Sequence, residues 1–480
     1  MRKFLTVLLL LTGIQAPAQN GIIWYDPIAV ADKTYGNLHP RIILDKEHHP
    51  LVLWADENGK AFIAKWSGKG FAEPEQINQP GKYVFAAPWA GPEITNHGDT
   101  IYVVYKELPE DKGHIYLKHS YDGGKTFSIE TQVDDTDGFL SRFPSVAIDP
   151  YGHPLVAYMR LNKGYTNPRY MVAKSKDLGE SFAGETSVHD FSGGRISDCC
   201  PATVIESGNA TVILYRDNLE GNRNIWAGIS MNAGVSFNKG LQLDETNWMS
   251  KDCPAHPPHG IVISDTIYST FMSSPGDTAM VYLGKASISG LKAITNPITG
   301  TLTGLISQNF PCISNSGDAA ALAWEQTISA NHEICLLFSN EITNGFPKTY
   351  EKISTGLVSN VDVALGGAHI YLIWQDDSSK NIMCRVGSYK ETLTNQLLAE
   401  NTTIYLQPSK SKKYFVVDHT DINSCLMVDA EGKEYEMDIK CKKSGCRVYT
   451  EELDPGVYIV RVFCKDDKIY TYKYEVKGDE

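Results

Sequence analysis

Short apolar runs separated by polar turns cover the chain from residue 40 to residue 386. Pro40-Arg41-Ile42-Ile43-Leu44-Asp45 is followed by Leu51-Val52-Leu53-Trp54, and Pro144-Ser145-Val146-Ala147-Ile148-Asp149 by Leu155-Val156-Ala157-Tyr158. Runs of this length, bounded by Gly, Asp and Pro, predict strands. One unit repeats: a Pro-led strand, a polar turn, a second strand, a loop, a third strand, a tight turn and a fourth strand. Units begin near Pro40, Pro92, Pro144, Pro201, Pro258, Pro311 and Val361, at steps of 52, 52, 57, 57, 53 and 50 residues. No long amphipathic helix is predicted.

Three polar stretches punctuate these units: Ser120-Tyr121-Asp122-Gly123-Gly124-Lys125-Thr126-Phe127, Ser175-Lys176-Asp177-Leu178-Gly179-Glu180-Ser181-Phe182 and Ser230-Met231-Asn232-Ala233-Gly234-Val235-Ser236-Phe237. Their first serines lie 55 residues apart each time. The Asp or Asn and the hydroxyls can hydrogen-bond local backbone, and Gly accepts the positive φ of a tight turn. A fixed period marks a repeat architecture. The first stretch reads S-x-D-x-G-x-T-F, and all three resemble the Asp-box (BNR) repeats of sialidase-like β-propellers. The resemblance implies an all-β chain with four-stranded blades around an axis. Seven unit starts favour seven blades; six, the number in the family's sialidases, stays open. The seventh unit lacks a fourth strand, which Ile22 to Val30 can supply. Within it, Tyr25-Asp26-Pro27-Ile28 is similar to the fourth-strand segment Phe71-Ala72-Glu73-Pro74.

The rhythm stops near residues 386–400. The expected organisation is a propeller over 19–390, a linker over 391–400 and a small β-sandwich over 401–480. Leu453-Asp454-Pro455-Gly456 is a turn feeding the apolar Val457-Tyr458-Ile459-Val460-Arg461-Val462. That strand, a closing Tyr470-Thr471-Tyr472-Lys473-Tyr474-Glu475-Val476, and the Asp429-Ala430-Glu431-Gly432-Lys433 hairpin resemble the C-terminal sorting domain of bacterial type IX secretion. The resemblance implies the secretion machinery as a partner. The opening Tyr405-Leu406-Gln407-Pro408 keeps only half of that family's Y-P-N-P, which leaves a plain immunoglobulin-like module as the alternative.

Composition sharpens this picture. The 480 residues carry a formal net charge of −13, with 21% charged and 42% hydrophobic residues. This is ordinary globular material, and its acidity argues against a general nucleic-acid binder. Residues 1–18 read as a secretory signal: Arg2 and Lys3, an apolar run from Phe4 to Leu11, and Ala16-Pro17-Ala18 before Gln19. The run is too short to span a membrane, so no membrane span is expected. All ten Cys lie at or after Cys199. Export makes disulfides the expected state, with Cys200–Cys253 and Cys441–Cys446 as plausible pairs.

In a four-strand blade the Asp-box turns mark one face, so function is sought on the other. Eight arginines lie between Gln19 and Lys390: Arg41, Arg142, Arg160, Arg169, Arg195, Arg216, Arg223 and Arg385. All but Arg385 fall in or beside loops of that other face. Arginine forks match carboxylates, which suits an acidic sugar. Arg41, Arg142, Arg160, Arg195, Arg216 and Arg223, with Trp248 for stacking, are the candidate substrate-binding residues. Second-strand ends add Asp56, Glu107, Asp217, Glu325 and Asp376, and a glycosidase needs an acid and a nucleophile or base. The family resemblance implies a Tyr nucleophile assisted by Glu, an Asp acid/base and three Arg on the substrate carboxylate. Asp56, Glu107, Tyr215 and Asp217 are the catalytic candidates; for each carboxylate the competing role is strand-end hydrogen bonding. The family's Arg-Ile-Pro is altered here to His39-Pro40-Arg41-Ile42. Cys253, His256 and His259 have ligand-like spacing, but export favours a disulfide, so no metal and no cofactor is expected. Gly124-Lys125-Thr126 lacks the leading Gly of a P-loop, His332-Glu333 lacks a second zinc-binding His, and no G-x-S-x-G is present. Two functions stand: a secreted glycoside hydrolase of exo-sialidase type on acidic glycans or glycoproteins, or a non-catalytic glycan- or protein-binding propeller.

Overall fold

A computed structural model describes residues 22–68, 70–135, 138–208, 210–276, 278–300, 306–389, 414–417, 422–429, 433–442, 445–450, 453–465 and 469–476. The signal over 1–18, the linker over 391–400 and Tyr405-Leu406-Gln407-Pro408 lie outside them. The chain divides into two compact units, Met1–Gly387 and Ser388–Glu480. Apart from one 3₁₀ turn, Ile342–Asn344, every described regular element is a strand. No described helix is long and apolar enough to cross a membrane.

The first unit holds seven antiparallel sheets. Six are four consecutive strands in sequence order; the first sheet runs Leu38–Leu44, Pro50–Ala55, Ala61–Lys65 and Glu75–Gln76. The leading strands of the seven sheets are Leu38–Leu44, Glu93–His97, Phe139–Ile148, Thr203–Ser207, His259–Ile263, Ile306–Ser316 and Val358–Gly366. Each leading strand packs against the next, and the seventh packs back on the first, so they close a ring. The seventh sheet is completed from the other end of the unit: Ile23–Trp24 and Ile28–Ala29 pair with Asn381–Ser388, in the register Ile28↔Cys384 and Ala29↔Met383.

The core lies between neighbouring sheets. Second strands are buried on both faces, which is why they read as unbroken apolar runs rather than as alternation; Leu155, Val156, Ala157 and Tyr158 have no exposure. Tyr102 and Val104 of the second sheet meet Val156 and Tyr158 of the third in one apolar layer.

The three polar stretches are the turns between third and fourth strands, as their composition predicts. In the first, Asp122 Oδ1 accepts the amides of Lys125 at 2.9 Å and Thr126 at 3.0 Å, and Gly124 N–H donates to Ser120 Oγ at 2.8 Å. The second repeats this with Asp177, Ser181 and Gly179, the third with Asn232, Ser236 and Gly234. The residue after the Asp or Asn is left-handed in all three: Gly123 at φ 70°, Leu178 at 59° and Ala233 at 53°.

In the second unit the described strands form two sheets, one of Tyr414–Val417, Gly445–Tyr449 and Ile439–Lys442, the other of Glu434–Glu436, Ile422–Val428, Gly456–Cys464 and Ile469–Val476. Phe415, Val417, Met427, Val448, Val460 and Val462 form its core. Asp429 Oδ1 accepts the Lys433 amide at 2.9 Å, tying the hairpin seen in the sequence.

One expected disulfide is corrected. The bridge is Cys199–Cys253, not Cys200–Cys253; Cys441–Cys446 forms as expected. Cys200 points inward, buried and with a free thiol, which leaves Cys199 facing Cys253. Cys312, Cys335, Cys384 and Cys425 are also free and buried, so they act as small apolar core residues.

Candidate functional site: the axial cavity

The ring of leading strands encloses a cavity of about 390 Å³. Its geometry follows from one register. The residue after each unit start, whether that start is Pro or Val361, lines it: Arg41, Glu93, Ser145, Ala202, His259, Cys312 and Asp362. Five of these seven side chains titrate, and they are consecutive around the ring, from His259 on the fifth sheet through Cys312, Asp362 and Arg41 to Glu93 on the second. Ser145 and Ala202 leave the third and fourth sheets uncharged at this level.

The belt is tightly paired. Arg41 Nε donates to Glu93 Oε2 at 2.9 Å and Oε1 at 3.1 Å, and Nη1 donates to Pro40 O at 3.0 Å. Arg41 Nη2 donates to no acceptor among the described residues. His39 Nε2 lies 2.9 Å from Glu93 Oε1. Burial pushes the Glu93 carboxyl up, but Arg41 and His39 outweigh it and hold it down at about 2. Asp362 behaves oppositely. Burial raises it to about 6, although Arg41 and the amides of Ile42 and Val363, at 3.0 and 2.9 Å, favour the anion. Burial and Arg41 lower His259 to about 4, and its Nδ1 accepts the Ile313 amide at 3.3 Å. Glu325, within the second strand of the sixth sheet, accepts the Asn360 amide at 2.9 Å; burial raises it to about 7.

One end of the cavity is strained. Four leading strands carry a bulge just before the belt, and each bulge holds a non-glycine residue at positive φ: His39 at 52°, Phe143 at 53°, Phe310 at 45° and Asn360 at 48°. Each such residue costs on the order of 1–3 kcal/mol and persists only where packing over-determines it; bulges of this kind re-aim side chains beside functional sites. Phe143, Phe310, Asn360 and Trp89 all line the cavity. His256 stacks on Phe310 with ring centroids 4.5 Å apart. This mouth therefore joins aromatic faces, one uncommitted guanidinium nitrogen and carboxyls driven apart in pKa. Those are the marks of a ligand site.

The sequence-predicted residues scatter around this centre. Of the six arginines, only Arg41 lines the axial cavity. Arg142 pairs with Glu110 and lies 4.4 Å from the Phe143 ring. Arg160 pairs with Glu185, which opens a fourth strand, and donates to Asp135 O at 2.7 Å. Arg216 is buried, donating to Arg223 O and Met272 O at 2.7 Å each and lying over the half-buried Trp248 at 5.4 Å. Arg223 donates to Ser197 Oγ at 3.0 Å and Ser250 O at 3.3 Å. Arg195 is exposed in the segment before the fourth sheet.

The catalytic candidates do not converge either. Asp56 Oδ1 accepts the amides of Asn58 at 2.9 Å and Lys60 at 2.7 Å, closing its own turn. Glu107 lies 3.6 Å from Lys82. Tyr215 is interior, its hydroxyl accepting the Phe191 amide at 3.2 Å, and burial pushes its pKa well up. Asp217 is buried, which raises it to about 6. The strand-end role describes Asp56 and Glu107 as they stand. Glu93 and Asp362 were missed because they lie on leading strands, away from the loops and second-strand ends where carboxylates are expected; His39 entered only as part of an altered motif and His259 only for its metal-like spacing. The missed signal is the position following each unit start.

No family model matches the chain, and no curated protein matches it in sequence. Solved structures match it in fold. An ulvan lyase, a polysaccharide lyase bound to -[GlcA(1-4)Rha3S]-, has a TM-score of 0.51 at 10% identity, over 78% of this chain and 100% of its own. An α-L-arabinofuranosidase of Fusarium graminearum has a TM-score of 0.46 at 12% identity, over 67% and 98%. The endosialidase of phage phi92 has a TM-score of 0.45 at 8% identity, over 93% and 87%. At 10% identity the likeness to the ulvan lyase is one of fold, and this chain folds as a β-propeller.

Proposed function

We propose that this protein is an exported, seven-bladed propeller that binds an acidic glycan at the mouth of its axial cavity. The carrying observation is the strained ring of His39, Phe143, Phe310 and Asn360 set just above the Arg41–Glu93–Asp362 belt. Trp89 and Phe310, both half-buried, offer apolar faces to a sugar ring, and Arg41 Nη2 is the donor left for a sugar carboxylate or hydroxyl. The ulvan lyase with this fold carries a uronic-acid glycan, which agrees with that choice. Two disulfides and the N-terminal apolar run support export. The Asp429–Lys433 hairpin and the strand Gly456–Cys464 support reading the C-terminal unit as a β-sandwich sorting domain.

A second reading, turnover of the bound glycan, is favoured by one observation. Glu93 is held ionised while Asp362, lining the same cavity, is raised to about 6, the kind of split an acid–base pair requires. The narrower exo-sialidase reading rests on the Asp hairpins and draws no support from the interior Tyr215 and Arg216.

The test titrates the full chain and Trp89→Ala with an oligogalacturonate, sialyllactose and a neutral oligosaccharide, with product analysis alongside. Binding of an acidic probe that weakens roughly tenfold in Trp89→Ala supports the site. Binding of no probe, or equal binding by both proteins, overturns it.

A further inference from the structure

A cationic groove, of about 590 Å³, lies away from the axis against the fourth and fifth sheets. Three segments build it. The strand-to-strand loop before the fourth sheet brings Gly193, Gly194 and Arg195; the hairpin between that sheet's second and third strands brings Asn218 to Gly221 and Arg223; the loop before the fifth sheet brings Ser250 and Lys251. They are zipped together by backbone: Asn218 N–H to Arg195 O at 2.7 Å, Arg223 N–H to Trp248 O at 2.8 Å and Ser250 N–H to Gly221 O at 2.8 Å. The Cys199–Cys253 bridge ties the two outer segments to each other.

Arg195, Arg223 and Lys251 thus come from three different segments into one groove, in a chain whose net charge is −13. Glu220 is the one acid lining it. Arg195 and Lys251 are exposed, and no side-chain hydrogen bond or ion pair of theirs is found among the described residues. Arg223 is spent on Ser197 and Ser250, so it fixes the floor and adds charge. The disulfide and three backbone ties fix the segments in place, and the two free cations are the side chains left for an anion to order.

We propose that this groove is an off-axis subsite for an anionic group, carboxylate or sulfate ester, on a distal residue of a polymeric glycan whose other end occupies the axial mouth. The inference rests on the glycan reading above. It makes the ligand a chain of several sugars rather than a single terminal one.

The test compares the full chain, Arg195→Ala/Lys251→Ala and Trp89→Ala. Probes are a long oligogalacturonate, a sulfated oligosaccharide of matched length, a neutral one and an acidic disaccharide. The double variant should keep its melting temperature, lose roughly tenfold or more in affinity for the long anionic probes, and show a shallower salt dependence. Its binding of the disaccharide should not change. Loss for the uronate alone assigns a carboxylate site, and loss for the sulfated probe alone a sulfate site. Undiminished binding of both long anionic probes by the double variant, with Trp89→Ala impaired, overturns the subsite and leaves the axial reading intact. Failure of the wild-type protein to bind any probe overturns both.

Discussion

Arg41 and Glu93, on the leading strands of neighbouring sheets, meet through a single nitrogen: Nε lies 2.9 Å from Oε2 and 3.1 Å from Oε1. His39 occupies the other side of the same carboxylate at 2.9 Å. The contact both closes the ring between two sheets and sets the charge at the centre of the site. Glu93→Gln strands the guanidinium without its counter-charge. Side-chain exposures of 23% and 27% place the pair between surface and core. The expected loss is about 2–3 kcal/mol, read as a lower urea midpoint at unchanged slope. Because the folded carboxyl is depressed to about 2, its contribution is present above about pH 4.5 and fades as pH falls toward 2. An unchanged midpoint at pH 7 contradicts this.

Glu325 gives the opposite sign. Its folded pKa is raised from 4.5 to about 7, so the folded state binds a proton that the unfolded chain has lost. Stability is therefore greatest below the unfolded value and declines as pH rises toward and through 7. Asp217 and Asp362 at about 6 and Glu206 at about 7 act in the same direction. Buried histidines oppose them in the same window, since His256 and His259, lowered to about 4, favour the folded state more as pH rises from 6 to 8; the carboxyl contribution is therefore read as a slope that differs between wild type and variant in thermal scans at pH 6 and pH 8. Glu325→Gln should flatten that slope, removing up to about 2–3 kcal/mol of the pH-dependent loss. A variant whose melting temperature changes between the two values just as the wild type's does contradicts the assignment.

Ala233 sits at φ 53° where the first polar hairpin has Gly123 at φ 70°. A methyl group there strains a left-handed backbone, whereas glycine does not. Ala233→Gly should stabilise by about 0.5 kcal/mol, the relieved strain less the extra freedom of the unfolded chain. Destabilisation in chemical denaturation would mean that the third turn is not built like the first.

The Cys199–Cys253 bridge closes a separation of 54 residues. Cys253→Ala should cost about 3–4 kcal/mol if the constraint on the unfolded chain dominates. Non-reducing peptide mapping should find Cys199 joined to Cys253 and a free thiol at Cys200. A bridge at Cys200 contradicts the observed geometry.

Much of the strand rhythm was legible because second strands are buried on both faces and read as continuous apolar runs. The hairpins were legible because side-chain caps need Ser, Asp or Asn, and Gly at fixed offsets. The site was less so. Burial and pairing are properties of neighbouring sheets: Tyr215 and Arg216 look like active-site residues in sequence, yet both are interior. Arg142 and Arg160 were assigned to an open face, but Glu110 and Glu185 come from elsewhere to meet them. Arg41 was named as a ligand-binding candidate, while its partner Glu93 was not and His39 appeared only as a motif neighbour. Aligning the seven unit starts would have exposed the belt, since Glu93 and Asp362 hold the place of Arg41 in their own repeats.

The most direct measurement is a crystal structure of the full chain soaked with an acidic oligosaccharide. The account predicts a sugar ring at the axial mouth, packed on Trp89 or Phe310, with an oxygen within hydrogen-bonding distance of Arg41 Nη2. A ligand seated instead beside the Ser120, Ser175 and Ser230 hairpins, with the mouth holding only solvent, contradicts it.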